Sequence, residues 1–400
     1  MTSGPKPKRY EQLDALRGIA ATVVVADHCL MTFPTWSNVM LHGRHGTLLS
    51  VILGYPPFSL LWAGDAAVKV FFVLSGFVLA LIFLRPGSPS YPAFCIKRVC
   101  RIYVPYIVVV TAAILVMTML SARQAPALSE WFQGSWNHKV SASLLWDHLL
   151  MLGQTKYNFV DNPIWSLVHE MRYSLIFPLL MWIVLRVDGW TALAGSLVIS
   201  VGAMFTLARS GNFWLLDSGQ YAFLFVAGAV LAKYRVEAEG AIRNLCPAAR
   251  IALAAVAVLL LSAHAFTYVP SHAVRQAASL APHFGAVLLL VLVIGSTRAQ
   301  QVLERRPCLW VGRVSYSLYL SHLVVLLTLV HLLHGHMPAY FIILCVPPAA
   351  MAVAYVLFRY LERPAITLGR ALERRIDAAR REAPASVADA TEEVSLAGAD

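Results

Sequence analysis

Residues 10–28 read YEQLDALRGIAATVVVADH. The run is apolar enough to begin a membrane-spanning helix, yet it carries Asp14, Arg17, Asp27 and His28. An ionisable side chain at hydrocarbon depth is costly, so it must face protein or water, and it marks a functional site by default. Arg17 and His28 are eleven residues apart. At 100° per residue they return to within about 20° of one helix face, separated by about 16 Å along the axis. Asp14, three residues before Arg17, offers a plainer reading of that arginine as a snorkelling anchor, and a hydrogen-bonded packing role is the plainer reading of His28. Their common face favours function.

The rest of the chain supports a membrane setting. Hydrophobic residues make up 58% of the 400, charged residues only 13%, and the mean hydropathy is +0.66. Soluble domains carry about a quarter charged residues. A span needs about 20 apolar residues, and ten stretches qualify: 13–33, 66–84, 103–120, 165–186, 190–208, 213–232, 250–269, 278–297, 314–334 and 340–360. The sixth carries Asp217 and Gln220, and Pro282 interrupts the eighth. Residues 45–62, broken by Gly54, Pro56 and Pro57, read as interfacial or re-entrant, and 143–153 as a surface segment.

The net charge of +11 is sorted by topology. With the N-terminus in the cytoplasm, 23 Lys and Arg fall on cytoplasmic segments and 6 on external ones, a strong positive-inside asymmetry. The expected fold is therefore all-α, a polytopic bundle of about ten transmembrane helices with both termini cytoplasmic. It divides into a cytoplasmic segment 1–12, a transmembrane domain 13–365 and a cytoplasmic tail 366–400, helical in its first half and disordered over its last fifteen residues. The first span reads as a retained signal anchor. Basic residues spread over short segments form no nucleic-acid module. Six scattered cysteines without a CxxC indicate neither disulfides nor a metal site.

Further polar groups lie within the spans. Span four opens WSLVHEMRYSLIFP at 165–178, placing Glu170 in its outer half, at a depth similar to His28, with Tyr173 one turn below. Arg172 faces elsewhere, so the partner of Glu170 is expected on another helix. Span nine carries SYSLYLSH at 315–322, where Tyr316, Tyr319 and His322 form a row. Before span three, Arg98 and Arg101 are i,i+3 neighbours whose guanidinium forks, on one helix face, suit a phosphate; topological anchoring is the alternative. Lys69 pairs in sequence with Asp65 at i−4, and Ser75-Gly76 permits close helix approach.

These pieces resemble the acyltransferase-3 family of integral membrane O-acyltransferases over roughly residues 10–365. The motifs occur in family order: Arg17-x10-His28, FFVLSGF at 71–77, Arg98-x-x-Arg101, WSLVHEMRYSLIFP, SYSLYLSH, and Glu362-Arg363-Pro364. The resemblance implies an acyl-CoA donor, acetyl-CoA expected, entering from the cytoplasm as co-substrate. No permanently bound cofactor is expected, and the expected acceptor is a hydroxyl of an envelope polysaccharide or lipid-linked glycan, in a bacterial inner membrane. His28 and Glu170 are then the expected catalytic pair, with His28 the general base and Glu170 its orienting carboxylate. Arg17, Arg98 and Arg101 are expected to bind acyl-CoA. Tyr173, Tyr316, Tyr319 and His322 are expected to contact the acceptor or the developing oxyanion. External aromatic residues (Trp36, Tyr55, Trp62, Trp131, Trp136, Trp146 and Tyr157) suit either sugar stacking or the membrane interface. A small-molecule acceptor such as an antibiotic sugar is an alternative, as is a secondary transporter or flippase, although no internal repeat supports the latter.

Overall fold

A computed structural model describes residues 10–44, 46–120, 125–151, 157–210, 214–263 and 272–382. Lys6, Lys8, Arg9, Arg123, Lys156, the expected disordered tail end and the side chain of Tyr157 lie outside the described residues. The described fold is helical throughout. In chain order it contains α1 (Glu11–Met31), α2 (Pro34–His42), α3 (Leu48–Gly54), α4 (Gly64–Phe83), α5 (Tyr91–Leu120), α6 (Glu130–Gln133), α7 (Ala142–Leu150), α8 (Tyr157–Val160) and α9 (Ile164–Arg186). These are followed by α10 (Gly189–Ser210), α11 (Trp214–Gly219), α12 (Ala222–Lys233), α13 (Arg235–Asn244), α14 (Pro247–Leu261) and α15 (His272–Gly295). The last four are α16 (Thr297–Leu303), α17 (Arg306–Leu333), α18 (Ala339–Leu357) and α19 (Arg363–Glu382). Pro105, Pro178, Pro282, Pro347 and Pro348 sit inside long helices, as membrane helices tolerate when neighbours satisfy the freed backbone groups.

Seven of the described helices are long and apolar enough to cross a membrane, or up to nine if the bent pairs α1–α2 and α13–α14 each count as one span. The chain is thus a multi-pass membrane protein. The expected sixth span, 213–232, is not one helix. It divides into α11 and the 12-residue α12, about 18 Å long and too short to cross. Residues 222–232 are all buried, and a helix apolar all round is equally suited to a protein core or to lipid. In the two segments expected at the interface, α3 exposes Leu48, Leu49 and Ile52, and α7 exposes Leu145, Trp146 and Leu149. The tail helix α19 continues α18 through a π-helical turn, Phe358–Glu362, and docks on α5 through Lys97 Nζ–Glu373 Oε1 at 2.8 Å and Ser90 Oγ–Asp377 Oδ1 at 2.6 Å.

Glycine contacts set the helix positions. A Cβ on Gly312 would lie 2.4 Å from Asp14 O, and one on Gly18 2.5 Å from Gly312 N. Helices α1 and α17 therefore touch backbone to backbone. They run parallel, because ten residues beyond this contact on each helix His28 meets His322. Gly76 and Gly228 bring α4 against α12 in the same manner, as the Ser75-Gly76 pair suggested. We call the end of the bundle where α1 begins the basal end, and the opposite one, which carries segments 32–63 and 125–163, the loop end.

At the loop end, Ser129 fastens α6 over the end of α1. Its Oγ donates to Met31 O at 2.6 Å and its N–H to Thr32 O at 3.1 Å, occupying carbonyls a helix C-terminus leaves free. Nearby, Tyr106 Oη donates to the His148 carbonyl at 2.9 Å and lies 3.2 Å from His148 Nδ1. Burial holds the His148 imidazole down at about 4.

Three outcomes are expected. Gly312→Leu should overpack the α1–α17 contact and cost about 1–3 kcal/mol or more, read as a lower Tm of the detergent-solubilised protein. Gly195→Ala, where nothing lies within 4 Å of the new Cβ, should be neutral or gain up to about 1 kcal/mol. The buried, neutral His148 binds its proton more readily once unfolded. Its contribution is therefore complete above pH ~6.5 and declines as pH falls toward 4. The drop in Tm between pH 7 and 5 should be smaller in His148→Phe.

Candidate functional site

The polar residues expected in one site form two centres on the α1–α17 pair. The loop-end centre is built on histidine. His28 Nδ1 lies 2.8 Å from His322 Nε2, with the rings nearly coplanar at 6°. His322 Nδ1 lies 2.8 Å from Tyr319 O and 3.1 Å from Leu318 O. A carbonyl only accepts, so His322 Nδ1 carries a hydrogen, and in a neutral ring its Nε2 is then the lone-pair nitrogen. His28 must donate Nδ1–H to it, which leaves His28 Nε2 bare and basic. Trp131 of α6 covers the His28 ring, with centroids 5.3 Å apart and planes 18° apart. The Ser129 clamp holds it there.

The second centre lies one long step basal. Arg98 of α5 donates from Nη2 to Glu170 Oε1 at 2.9 Å and from Nε and Nη2 to Ser174 Oγ at 3.1 and 2.9 Å. Ser75 Oγ lies 3.4 Å from Glu170 Oε1. Arg17 and Arg101 are close enough to Glu170 and Glu362 for direct charge interaction. Glu362 accepts from Ser317 Oγ at 2.6 Å. The π-helical turn that ends on Glu362 widens the helix locally, a feature often found at functional sites. Asp14 also acts on Arg17, so three guanidinium groups face three carboxylates, Asp14, Glu170 and Glu362. Arg17, Arg101, Glu170 and Tyr316 are only half-buried, and the Glu170 side chain keeps 22% of its surface accessible. With partners on several helices, that surface opens into the interior of the bundle. No group of three or more potential metal ligands occurs among the described residues.

Several expectations are corrected by this geometry. Glu170 does not share the depth of His28. It contacts Ser75, midway along α4, and neighbours Arg17, which is about 16 Å from His28 along α1. The reason is that α9 begins below the loop-end surface: Ser166 Oγ, in its first turn, lies 2.7 Å from Tyr319 Oη. Glu170 therefore cannot orient His28, and His322 does so instead. The partner of Glu170 is on another helix as expected. It is Arg98, whose fork is thereby committed and is not free to grip a phosphate beside Arg101. Tyr173 stacks on Phe225 at 4.0 Å and donates to Ser218 O at 2.9 Å. Tyr316 donates to Ile102 O at 2.7 Å, and Tyr319 Oη is shared by Ser166 and Pro163 O. The tyrosines thus fasten helices together. Among the external aromatic residues, Trp62 and Trp136 are buried, the latter donating to Val160 O at 2.8 Å.

Ser174, Glu362 and Trp131 were not singled out as site residues by sequence. Ser174 is i+4 from Glu170, a spacing that carried the signal. Glu362 was visible only as part of its Glu-Arg-Pro motif. Trp131 is brought in by loop packing that leaves no local trace.

The family model described as "Acyltransferase domain" matches residues 10–359, and the chain belongs to this acyltransferase-3 family. Among curated proteins, O-acetyltransferase PaAT-1 from Phomopsis amygdali is 26% identical over 381 residues, covering 80% of this chain and 73% of its own length. No solved structure matches significantly.

The Arg98–Glu170 pair generates a stability prediction. Glu170→Gln should cost about 3–5 kcal/mol, because it strands the buried Arg98 guanidinium, and Arg98→Met less, because the half-buried Glu170 keeps Arg17 and Arg101 nearby. The double variant should cost less than their sum. Additive Tm shifts would show that the pair is uncoupled.

Proposed function

We propose that this member of the acyltransferase-3 family transfers an acyl group, acetyl being the expected one, from acyl-CoA to a hydroxyl of an envelope polysaccharide or lipid-linked glycan. The observation that carries the reading is the bare Nε2 of His28, fixed by His322 and lying about 16 Å along the same helix from a centre of three arginines. A donor with an anionic head and a long arm ending in a thioester fits that separation. The O-acetyltransferase name of the relative agrees with acetyl as the group.

In this reading all ten apolar stretches, including the bent and divided ones, alternate across a bacterial inner membrane with both termini cytoplasmic. The positive-inside asymmetry supports that orientation and places the basal end inward. Arg17 and Arg101 hold the donor phosphates. Arg98 and Glu170 hold those two arginines in place and prevent the centre from collapsing. His28 Nε2 takes the proton of the acceptor hydroxyl as its oxygen attacks the thioester carbonyl. The C–O bond forms, the C–S bond breaks, and the proton passes from His28 to the departing thiolate. The transient imidazolium is stabilised by its Nδ1–H bond to His322, the part a carboxylate has in Ser-His-Asp sites. Trp131 shields the ring from water, which would otherwise compete as acceptor.

The test is CoA-thiol release with acetyl-CoA and an envelope glycan fraction, using purified protein. His28→Gln should abolish transfer, and a fully active variant would sink the mechanism. His322→Asn should lower kcat by about 10²–10⁴ with little change in donor KM. Arg101→Ala should raise the donor KM instead, increasingly so at high salt.

A further inference from the structure

A second cavity lies apart from both centres. Helices α1, α4, α14 and α15 enclose a crevice of about 430 Å³ whose walls are almost wholly apolar, including Ala20, Ala66, Ala254, Val258 and Leu292. Arg250 is the one charged side chain among its described lining residues. The crevice follows α14 from Arg250, near the start of that helix, to Leu261. That is eleven residues, or about 16 Å.

Shape restricts the occupant. Its length of about 16 Å and its apolar walls suit an extended hydrocarbon chain. At this depth the surrounding solvent is lipid, and an unfilled apolar groove forfeits the dispersion contacts of its walls. Charge restricts the occupant further. Arg250 is half-buried at the mouth and forms no ion pair among the described residues, and the exposed Arg298 lies one residue from the lining residue Ala299. A guanidinium fork at the end of an apolar groove matches a phosphodiester at the end of an acyl chain, as in basic pockets between membrane helices that hold anionic headgroups.

We infer that this crevice binds one acyl chain of an anionic membrane phospholipid, with its phosphate on Arg250. The lipid packs along Leu16, Ala20 and Val23 of α1, so it supports from outside the helix that carries Arg17 and His28. The inference is independent of the acyl-transfer reading, because its readout is bound lipid and not turnover.

Native mass spectrometry of the full-length protein in mild detergent, with phosphatidylglycerol or phosphatidylcholine added, tests it. The wild type should retain one phosphatidylglycerol in preference to phosphatidylcholine. Arg250→Gln should reduce phosphatidylglycerol occupancy about tenfold and remove the preference. Ala254→Trp, a substitution at an exposed wall position, should exclude both lipids, with Ala254→Leu as a milder filling variant should the tryptophan impair folding. A monodisperse profile and an unchanged Tm confirm the fold of each variant. Equal retention of the two lipids by the wild type, or unchanged phosphatidylglycerol in Arg250→Gln and the filled variant, overturns the inference. Displacement of the lipid by millimolar inorganic phosphate, with no effect of filling the groove, would also overturn it by showing a headgroup-only site.

Discussion

The backbone contact between Gly18 and Gly312 is the constraint on which the site depends. Two helices that touch at this point and run parallel stay in register. Equal steps of ten residues therefore bring His28 and His322 together, with Nδ1 and Nε2 2.8 Å apart. Side chains at either glycine would move the axes apart, and a hydrogen bond between short imidazole side chains does not survive such a shift. Arg17 immediately precedes the contact, so the same crossing also anchors the basal centre. One small-residue contact thereby fixes both the distance between the two centres and the tautomer of the ring at the far one.

Charge is managed differently at the two ends. The basal centre gathers three arginines in a low-dielectric interior, an arrangement that is unstable without acids. Glu170 and Glu362 supply them, and each is fixed by a serine as well as by the arginines. The Arg98–Glu170 pair is a framework element, bonded on both sides and largely enclosed. Arg17 and Arg101 remain half-buried, with Asp14 acting on Arg17. The loop-end centre holds no formal charge when both rings are neutral, which suits a group that must accept a proton and release it again.

Much of this was legible in the sequence, and the failures have physical causes. The common face of Arg17 and His28 follows from helix geometry alone, since α1 is a continuous helix between them. The i,i+3 relation of Arg98 and Arg101 also holds, because both lie on α5. What sequence cannot give is depth across helices. The expectation of Glu170 beside His28 assumes that α9 starts level with the far end of α1, whereas its first turn meets Tyr319, one turn short of His322. The expected sixth span is divided into α11 and α12 by a break at 220–221 that a hydropathy average passes over. Pairings such as Arg98 with Glu170, 72 residues away, and Trp131 with His28 arise from packing and leave no periodic signal.

The exchange of a carboxylate for His322 as the partner of His28 changes what the site can do. A carboxylate beside an imidazole holds a permanent negative charge and strongly favours the protonated ring. His322 in its neutral form offers only a lone pair, with its other nitrogen tied to the Tyr319 carbonyl. It orients His28 as firmly but favours the imidazolium less. In the proposed acyl transfer, such a base returns its proton readily to a thiolate, a leaving group that departs without the strong acid an alkoxide or amine requires. A carboxylate about three turns away at the arginine centre is consistent with this division in the proposed reaction: its charge organises the cations that would face an anionic donor, and would hinder proton return if it stood beside the base.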